Sequence, residues 1–294
     1  MKRDGDVLEG AGYKVINGGT GERLELRSSW DTKIAEVMRQ RGIRELELNY
    51  AKGFAGRDVS FLREMTWLQG LVLTHRTLED DSPVQELHGL RLLELNTYCQ
   101  NPIEFAQFPE LEECALEWRR GATSLFQCNS LQRLFVNAYS GKVADSFGKL
   151  RNLTELSIAN GSLSDISGLE GCERLGFLGL YNLKRLTSLQ GLSKLTGLQR
   201  VEINGCRNIG RIDELAGLER LRVLHLCDDG HIQSFKPIAG LVNLEEVLFY
   251  ESTNVLDGDL GPVIRLPRLK KFAFAERVHY SRSRRDFEKA VTAQ

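Results

Sequence analysis

The sequence predicts an α/β solenoid of stacked repeats, each contributing one strand to a long parallel sheet. Three observations carry that prediction. The pattern apolar-x-x-apolar-x-apolar recurs from residues 43, 68, 90, 111, 131, 153, 175, 198, 221, 244 and 269, a step of 20–25 residues. The last two apolar residues of each copy lie two apart, so they share one face of a strand. A second apolar position follows most starts after 15–18 residues, as Phe61, Val84, Phe108, Phe126, Phe147, Leu169, Leu192, Leu215, Ile238 and Leu260. It gives each repeat a buried anchor on its way back. One such strand cannot bury its leucines alone, whereas stacked copies share a continuous core. With ERLEL at 22–26 as a degenerate first copy, about twelve strands are expected. At about 4.8 Å between neighbours they form a curved arc of roughly 50 Å.

The elements follow in chain order. Residues 1–20 carry no periodic apolar pattern and are expected to be disordered or extended, with NGGTG at 17–21 as a flexible entry loop. DTKIAEVMRQRG at 31–42 places Ile34, Val37 and Met38 at helical spacing, with Asp31 as N-cap and Gly42 as stop. With strand 22–27 it is read as an N-terminal cap for the repeat domain, which spans 21–276. Residues 277–294 are read as the C-terminal capping segment, where Phe287 and Val291 are spaced i, i+4. Solenoid ends expose apolar edges, and caps cover them.

The repeated hexads IRELEL (43–48), LQGLVL (68–73), LRLLEL (90–95) and their successors resemble the leucine-rich repeat family over about residues 21–276. SLSDISGLEGCERL (162–175) and SFKPIAGLVNLEEV (234–247) are similar to the 22–23-residue repeats of the internalin and phosphatase-regulator subclasses. The resemblance implies a horseshoe with the parallel sheet on its concave side and short irregular or 3-10 segments on its convex side. One departure stands out. The ninth position, usually Asn or Cys in the family, reads Ala51, Arg76, Tyr98, Arg119, Tyr139, Gly161, Leu183, Cys206, Asp229, Ser252 and Arg277. A continuous buried Asn ladder is therefore not expected. Family members with ubiquitin-ligase activity carry a separate catalytic domain after the repeats. Only 277–294 follows the last strand here, so that activity is not expected.

Composition narrows the function classes. The 294 residues carry 39 Lys+Arg against 40 Asp+Glu, a net charge of −1, which gives no global pull toward nucleic acid or an anionic membrane. No apolar run reaches the roughly 18 residues that a membrane span needs, and the first residues lack a secretory signal. The cysteines at 99, 114, 128, 172, 206 and 227 form no C-x-x-C pair and are expected to be thiols in a cytoplasmic, reducing compartment. H-E-x-x-H, G-x-S-x-G and a Walker loop are all missing from the sequence. His225 and Cys227 point to one side of one strand beside Asp228 and Asp229, which leaves an enzyme or metal site there as a minor alternative. No cofactor is expected.

Function on a repeat scaffold is read from its faces. Outward strand positions carry Glu45, Glu47, Glu94, Glu113, Glu117, Glu155, Glu202 and Glu246 against Arg23, Arg27, Arg133, Arg200 and Lys271. The concave face is thus expected to be acidic, most clearly in its N-terminal half, which disfavours duplex DNA or RNA. Aromatic residues interleave with the carboxylates: Phe135, Phe177, Tyr181 and Tyr250, with Trp118 one place beyond and His225 between. Aromatics on a rigid sheet make large contacts at low entropic cost. Just after the strands, Arg76, Arg119, Arg120, Lys142, Lys184, Arg185, Arg207 and Arg211 are expected to form a basic rim. The sequence-based conclusion is a monomeric, non-catalytic module that binds a basic and apolar protein surface on its concave face. A bacterial effector or immunity-type protein using the same surface is the alternative.

Overall fold

Leucines two apart on a strand demand a partner layer, and repetition supplies it. The structure, a computed structural model that describes residues 9–10 and 12–287, divides into two compact units at Gln132/Arg133. The first unit contains β1 (Glu9–Gly10), β2 (Tyr13–Asn17), β3 (Glu22–Leu26), β4 (Glu45–Asn49), β5 (Gly70–His75), β6 (Leu92–Thr97) and β7 (Glu113–Glu117). From β3 to β7 the strands pair in parallel and in sequence order. Their register stacks Leu24, Leu46, Leu71, Leu93 and Cys114 in one buried row.

Ahead of the parallel strands, β1, β2 and β3 form an antiparallel meander, with Tyr13 opposite Leu26 and Asn17 opposite Glu22. Residues 13–17 are thus a paired strand with Val15 in the core. Helix α1 (Thr32–Arg41) follows β3. The Asp31 carboxylate accepts from Lys33 N at 2.9 Å, and Gly42 ends the helix at φ 71°, a left-handed conformation that suits glycine. Ile34 and Met38 are buried, while Val37 is only partly covered.

The second unit contains β8 (Arg133–Asn137), β9 (Glu155–Ala159), β10 (Phe177–Tyr181), β11 (Arg200–Asn204), β12 (Val223–Cys227), β13 (His231–Ile232), β14 (Glu246–Tyr250), β15 (Asn254–Val255) and β16 (Lys271–Phe274). Strands β8 to β12, β14 and β16 form its parallel sheet, and β13 pairs with β15 in a two-stranded ladder on the return path. Helix α2 (Gly261–Ile264) is a single turn.

Return segments in both units are mostly one-turn 3-10 helices, such as Ser82–Glu86 and Leu192–Lys194. A repeat of about 22 residues has room for a tight turn and no room for a long helix. The return-path positions are buried as the period predicts at Val84, Phe108, Phe126, Phe147, Leu169, Leu192, Leu215, Ile238 and Leu260. Phe61 is the exception. Leu62 fills that place, and Phe61 lies flat on Trp30 with ring centroids 3.8 Å apart. At the other end, Phe287 meets Phe272 edge-on at 5.6 Å, and Arg284 Nε donates to the Phe274 carbonyl at 2.9 Å. Val291, the other half of the expected apolar pair, lies outside the described residues. No helix among the described residues is long and apolar enough to cross a membrane.

Candidate functional site

In the first unit, strand alternation turns Glu45, Gly70, Leu92 and Glu113 outward in one row and Glu25, Glu47, Val72, Glu94 and Ala115 in the next. The expected open acidic face is only partly there. Glu45 is 1% exposed, because its carboxylate is capped by the tip of the β2–β3 hairpin. Gly19 N donates to it at 3.0 Å, Thr20 Oγ1 at 2.7 Å and Arg23 Nε at 3.0 Å, and the Thr20 amide donates as well. Burial alone would raise its pKa, but these donors outweigh burial and hold the carboxyl below its usual range. Glu47 is also buried, and Lys52 Nζ bridges it to Glu25 at 2.7 Å on each side.

Glu94 is the contrasting case. It is open to solvent by area, yet it stands among enough protein that desolvation raises its pKa, and the charges of Glu47 and Glu113 raise it further. Glu113 and Glu117 are half-buried. Trp118 is half-buried against Phe126, with centroids 5.7 Å apart, so part of its surface is spent on packing.

The second unit carries a continuous polar chain across its outward rows. Gly179 is what makes it possible. A Cβ there would come within 2.6 Å of the Tyr181 ring, which folds back along its own strand. Tyr181 Oη then donates to Glu202 Oε2 at 2.5 Å, and Arg200 Nε donates to Glu202 Oε1 at 2.7 Å. His225 stands between two carboxylates, with Nδ1 3.5 Å from Glu202 and Nε2 2.7 Å from Glu246. Lys271 Nζ closes the chain on Glu246 at 3.1 Å. Burial opposes ionisation of Glu202 and Glu246, but these partners prevail and lower both carboxyls. Burial and the neighbouring Glu202 charge push the Tyr181 hydroxyl upward. In this unit the outward charges balance: Arg133, Arg200 and Lys271 share the row of Glu155 and Glu246, and Glu202 stands in the adjoining row with His225.

Aromatic residues flank this chain. Phe135 and Tyr250 are each 40% exposed, and Phe177 and Tyr181 are half-buried. Among the described residues none of the four meets another aromatic ring. Glu155 is exposed beside them.

The structure gives His225 and Cys227 different surroundings. The two carboxylates sit on opposite ring nitrogens of His225, so they cannot share a metal with it on one side. Cys227 is buried, and burial raises its thiol pKa, the reverse of what a nucleophile needs. Among the described residues no three His, Cys, Asp or Glu side chains are placed to hold a metal ion.

Of the expected rim cations, Arg119 turns into the core while Arg76, Arg120, Lys142, Lys184, Arg185, Arg207 and Arg211 stay exposed. Arg119 is buried, and its Nη1 meets Asp81 Oδ2 at 2.6 Å while Nη2 reaches Thr97 Oγ1 at 2.8 Å. Arg207 pairs with Asp228 at 2.7 Å and Arg211 with Asp213 at 2.8 Å. Arg76 lies over the Tyr50 ring at 5.2 Å.

Several buried polar residues escaped the sequence reading. Asp229 is 0% exposed; its Oδ1 accepts from Cys206 N at 2.8 Å and its amide donates to Thr253 Oγ1 at 3.0 Å. It occupies the ninth position of its repeat, usually Asn or Cys in the family pattern, and that position was its available signal. Asp81 had no such signal, because its partner Arg119 lies 38 residues away. Leu92 and Val72, outward by alternation, are both buried.

No family model matches the sequence, and no curated protein does. Solved structures do match. The internalin InlF of Listeria monocytogenes aligns at a TM-score of 0.58 and 17% identity, over 76% of this chain and 67% of that one. The LRR protein LIC12759 of Leptospira interrogans aligns at 0.55 and 18% identity, over 85% of this chain and 72% of that one. The functional domain of InlJ from Listeria monocytogenes aligns at 0.54 and 16% identity, over 76% of this chain and 46% of that one. Identities this low speak to architecture alone. The repeated strand, tight turn and 3-10 return in both units, together with these alignments, identify the chain as having the leucine-rich repeat fold.

Proposed function

We propose that the protein is a non-catalytic module that binds another protein on the outward strand faces of its repeats. One observation carries the reading: in the second unit, exposed Phe135 and Tyr250 and half-buried Phe177 stand on a hydrogen-bonded sheet without ring partners among the described residues. Large aromatic surface held rigid and left uncovered is what interface hot spots are made of. The polar chain from Tyr181 to Lys271 fixes the ground beneath these rings and neutralises its own charges. A partner therefore meets aromatic surface over a chain whose own ions are already paired. In the first unit, Glu94 adds a carboxylate whose ionised form is disfavoured where it stands, and a basic group on the partner would relieve it. The six cysteines are all buried thiols, which fits residence in the cytoplasm, and the module acts as a monomer.

The test is co-purification from native lysate with crosslinking, read by mass spectrometry, for the wild type and a folded Phe135→Asp/Tyr250→Asp variant. A protein taken by the wild type and lost by the variant is the expected result. Equal capture by both would overturn the assignment to this face.

A further inference from the structure

The tip of the first hairpin is built to sit on the sheet face, and what holds it there is a single carboxylate. The segment Asn17–Glu22 reads Asn-Gly-Gly-Thr-Gly-Glu and contains no apolar side chain to bury. Its hold on the face is polar. Gly19 N, Thr20 N and Thr20 Oγ1 all donate to Glu45, which is 1% exposed beneath them. The glycines are required by this contact. A Cβ on Gly18 would overlap the Glu45 carboxylate, and one on Gly19 would come within 2.8 Å of Leu92 Cδ1. Gly70, on the neighbouring strand, leaves room for the Glu45 stem, since a Cβ there would lie 2.6 Å from Glu45 Cγ.

Beneath the tip lies an odd combination. Leu92 points outward from β6 and is nevertheless 3% exposed, and Glu113 Oε1 is 3.8 Å from where a Gly19 Cβ would be. Without the tip, the row Glu45, Leu92, Glu113 would present an apolar side chain between two carboxylates, with Glu94 in the adjoining row. The tip meets this row with backbone N–H groups, a hydroxyl and the neighbouring Arg23 guanidinium. Those are hydrogen-bond donors with positive character, the chemistry that a partner's arginine or lysine would bring.

We infer that the 18–21 tip is a displaceable strap covering a binding site for a basic, apolar protein segment on the outward row Glu45–Leu92–Glu113. The inference rests on the protein-binding reading above and adds regulation to it. A guanidinium beside an aliphatic side chain takes the place of the Gly19 and Thr20 donors on Glu45, next to Arg23, and covers Leu92 in one step. The strap thereby sets a threshold, and segments lacking either the cation or the apolar group leave it in place.

Two substitutions test this directly. Thr20→Pro removes the Thr20 amide and hydroxyl donors and frees the tip without altering the row beneath it. Leu92→Ser, made in that background, removes the apolar side chain from the row. The probe is a labelled eight-residue peptide of alternating arginine and leucine, its affinity read by fluorescence anisotropy, with folding of each variant checked by circular dichroism. Thr20→Pro is expected to bind at least tenfold more tightly than the wild type, and Thr20→Pro/Leu92→Ser at least tenfold more weakly than Thr20→Pro. Equal binding by the wild type and Thr20→Pro would overturn the strap while leaving protein binding intact. No binding by Thr20→Pro, or equal binding with and without Leu92, would overturn the site itself. The capture experiment on Phe135 and Tyr250 involves no residue of the tip, so its outcome reads separately.

Discussion

Asp229→Asn should stabilise the protein, and the gain should depend on pH in a way few single substitutions do. Asp229 is wholly buried, and its Oδ2 has no hydrogen-bond partner. Burial pushes its carboxyl from 3.8 up to about 8, against the Cys206 amide and with help from the Asp228 charge. In an unfolded chain the same group ionises near its ordinary value. Between these limits the folded state binds a proton that the unfolded state has released, so stability falls as pH rises. Each pH unit in that window is worth about 1.4 kcal/mol, so the protonated Asp229 costs about 4 kcal/mol at pH 7. Asparagine removes this ionisation but leaves an amide donor where Oδ2 has no partner, a penalty of roughly 1–3 kcal/mol. A net gain of roughly 1–3 kcal/mol at pH 7 follows. Urea unfolding at pH 5, 6, 7, 8 and 9, followed by circular dichroism, gives the comparison. The wild type and variant should converge toward pH 5, diverge up to about pH 8 and run parallel above it. Parallel curves throughout would refute the argument, because the proton would then not be bound differently in the two states.

Other predictions follow from the same side chains. Arg119→Ala leaves Asp81 as a buried charge whose Oδ1 is already without a partner, so a loss of roughly 3–5 kcal/mol in urea unfolding is expected. Replacing the pair together, as Asp81→Leu/Arg119→Met, should recover much of that loss. Glu202 and Glu246 are held below the usual carboxylate range, so their contribution is present above about pH 4.5 and is lost as pH falls through their folded values. Glu202→Gln/Glu246→Gln should therefore flatten the acid limb of the stability curve below that pH.

The fold was legible because its signal is local and repeated. Each hexad places two apolar residues on one face, and many near-identical copies leave little choice of register. The α1 caps, Asp31 and Gly42, were readable for the same reason, since a cap involves only its nearest neighbours. What stayed hidden depends on contacts made far along the chain. Arg119 looked like a rim cation until Asp81 took it, and Glu45 looked like an open acid until a hairpin tip 25 residues earlier covered it. Alternation told which way Leu92 points and could not tell that Gly19 lies upon it. Phe61 lost its core place to Leu62 by one residue, because Trp30 offered its ring a flat stacking partner. The aromatic positions on the second unit were visible in the sequence; that no ring covers them required the structure.

The most direct test of the central claim is the affinity of the captured partner for three purified variants. Phe135→Ala and Tyr250→Ala remove the exposed rings, and Gln233→Ala, on an exposed return segment of the second unit, serves as the control. Each ring deletion is predicted to weaken binding at least tenfold, about 1.4 kcal/mol or more, with the control within twofold of the wild type. Wild-type affinity in both ring variants, or a loss in the control alone, would contradict the account and move the interface off the strand face.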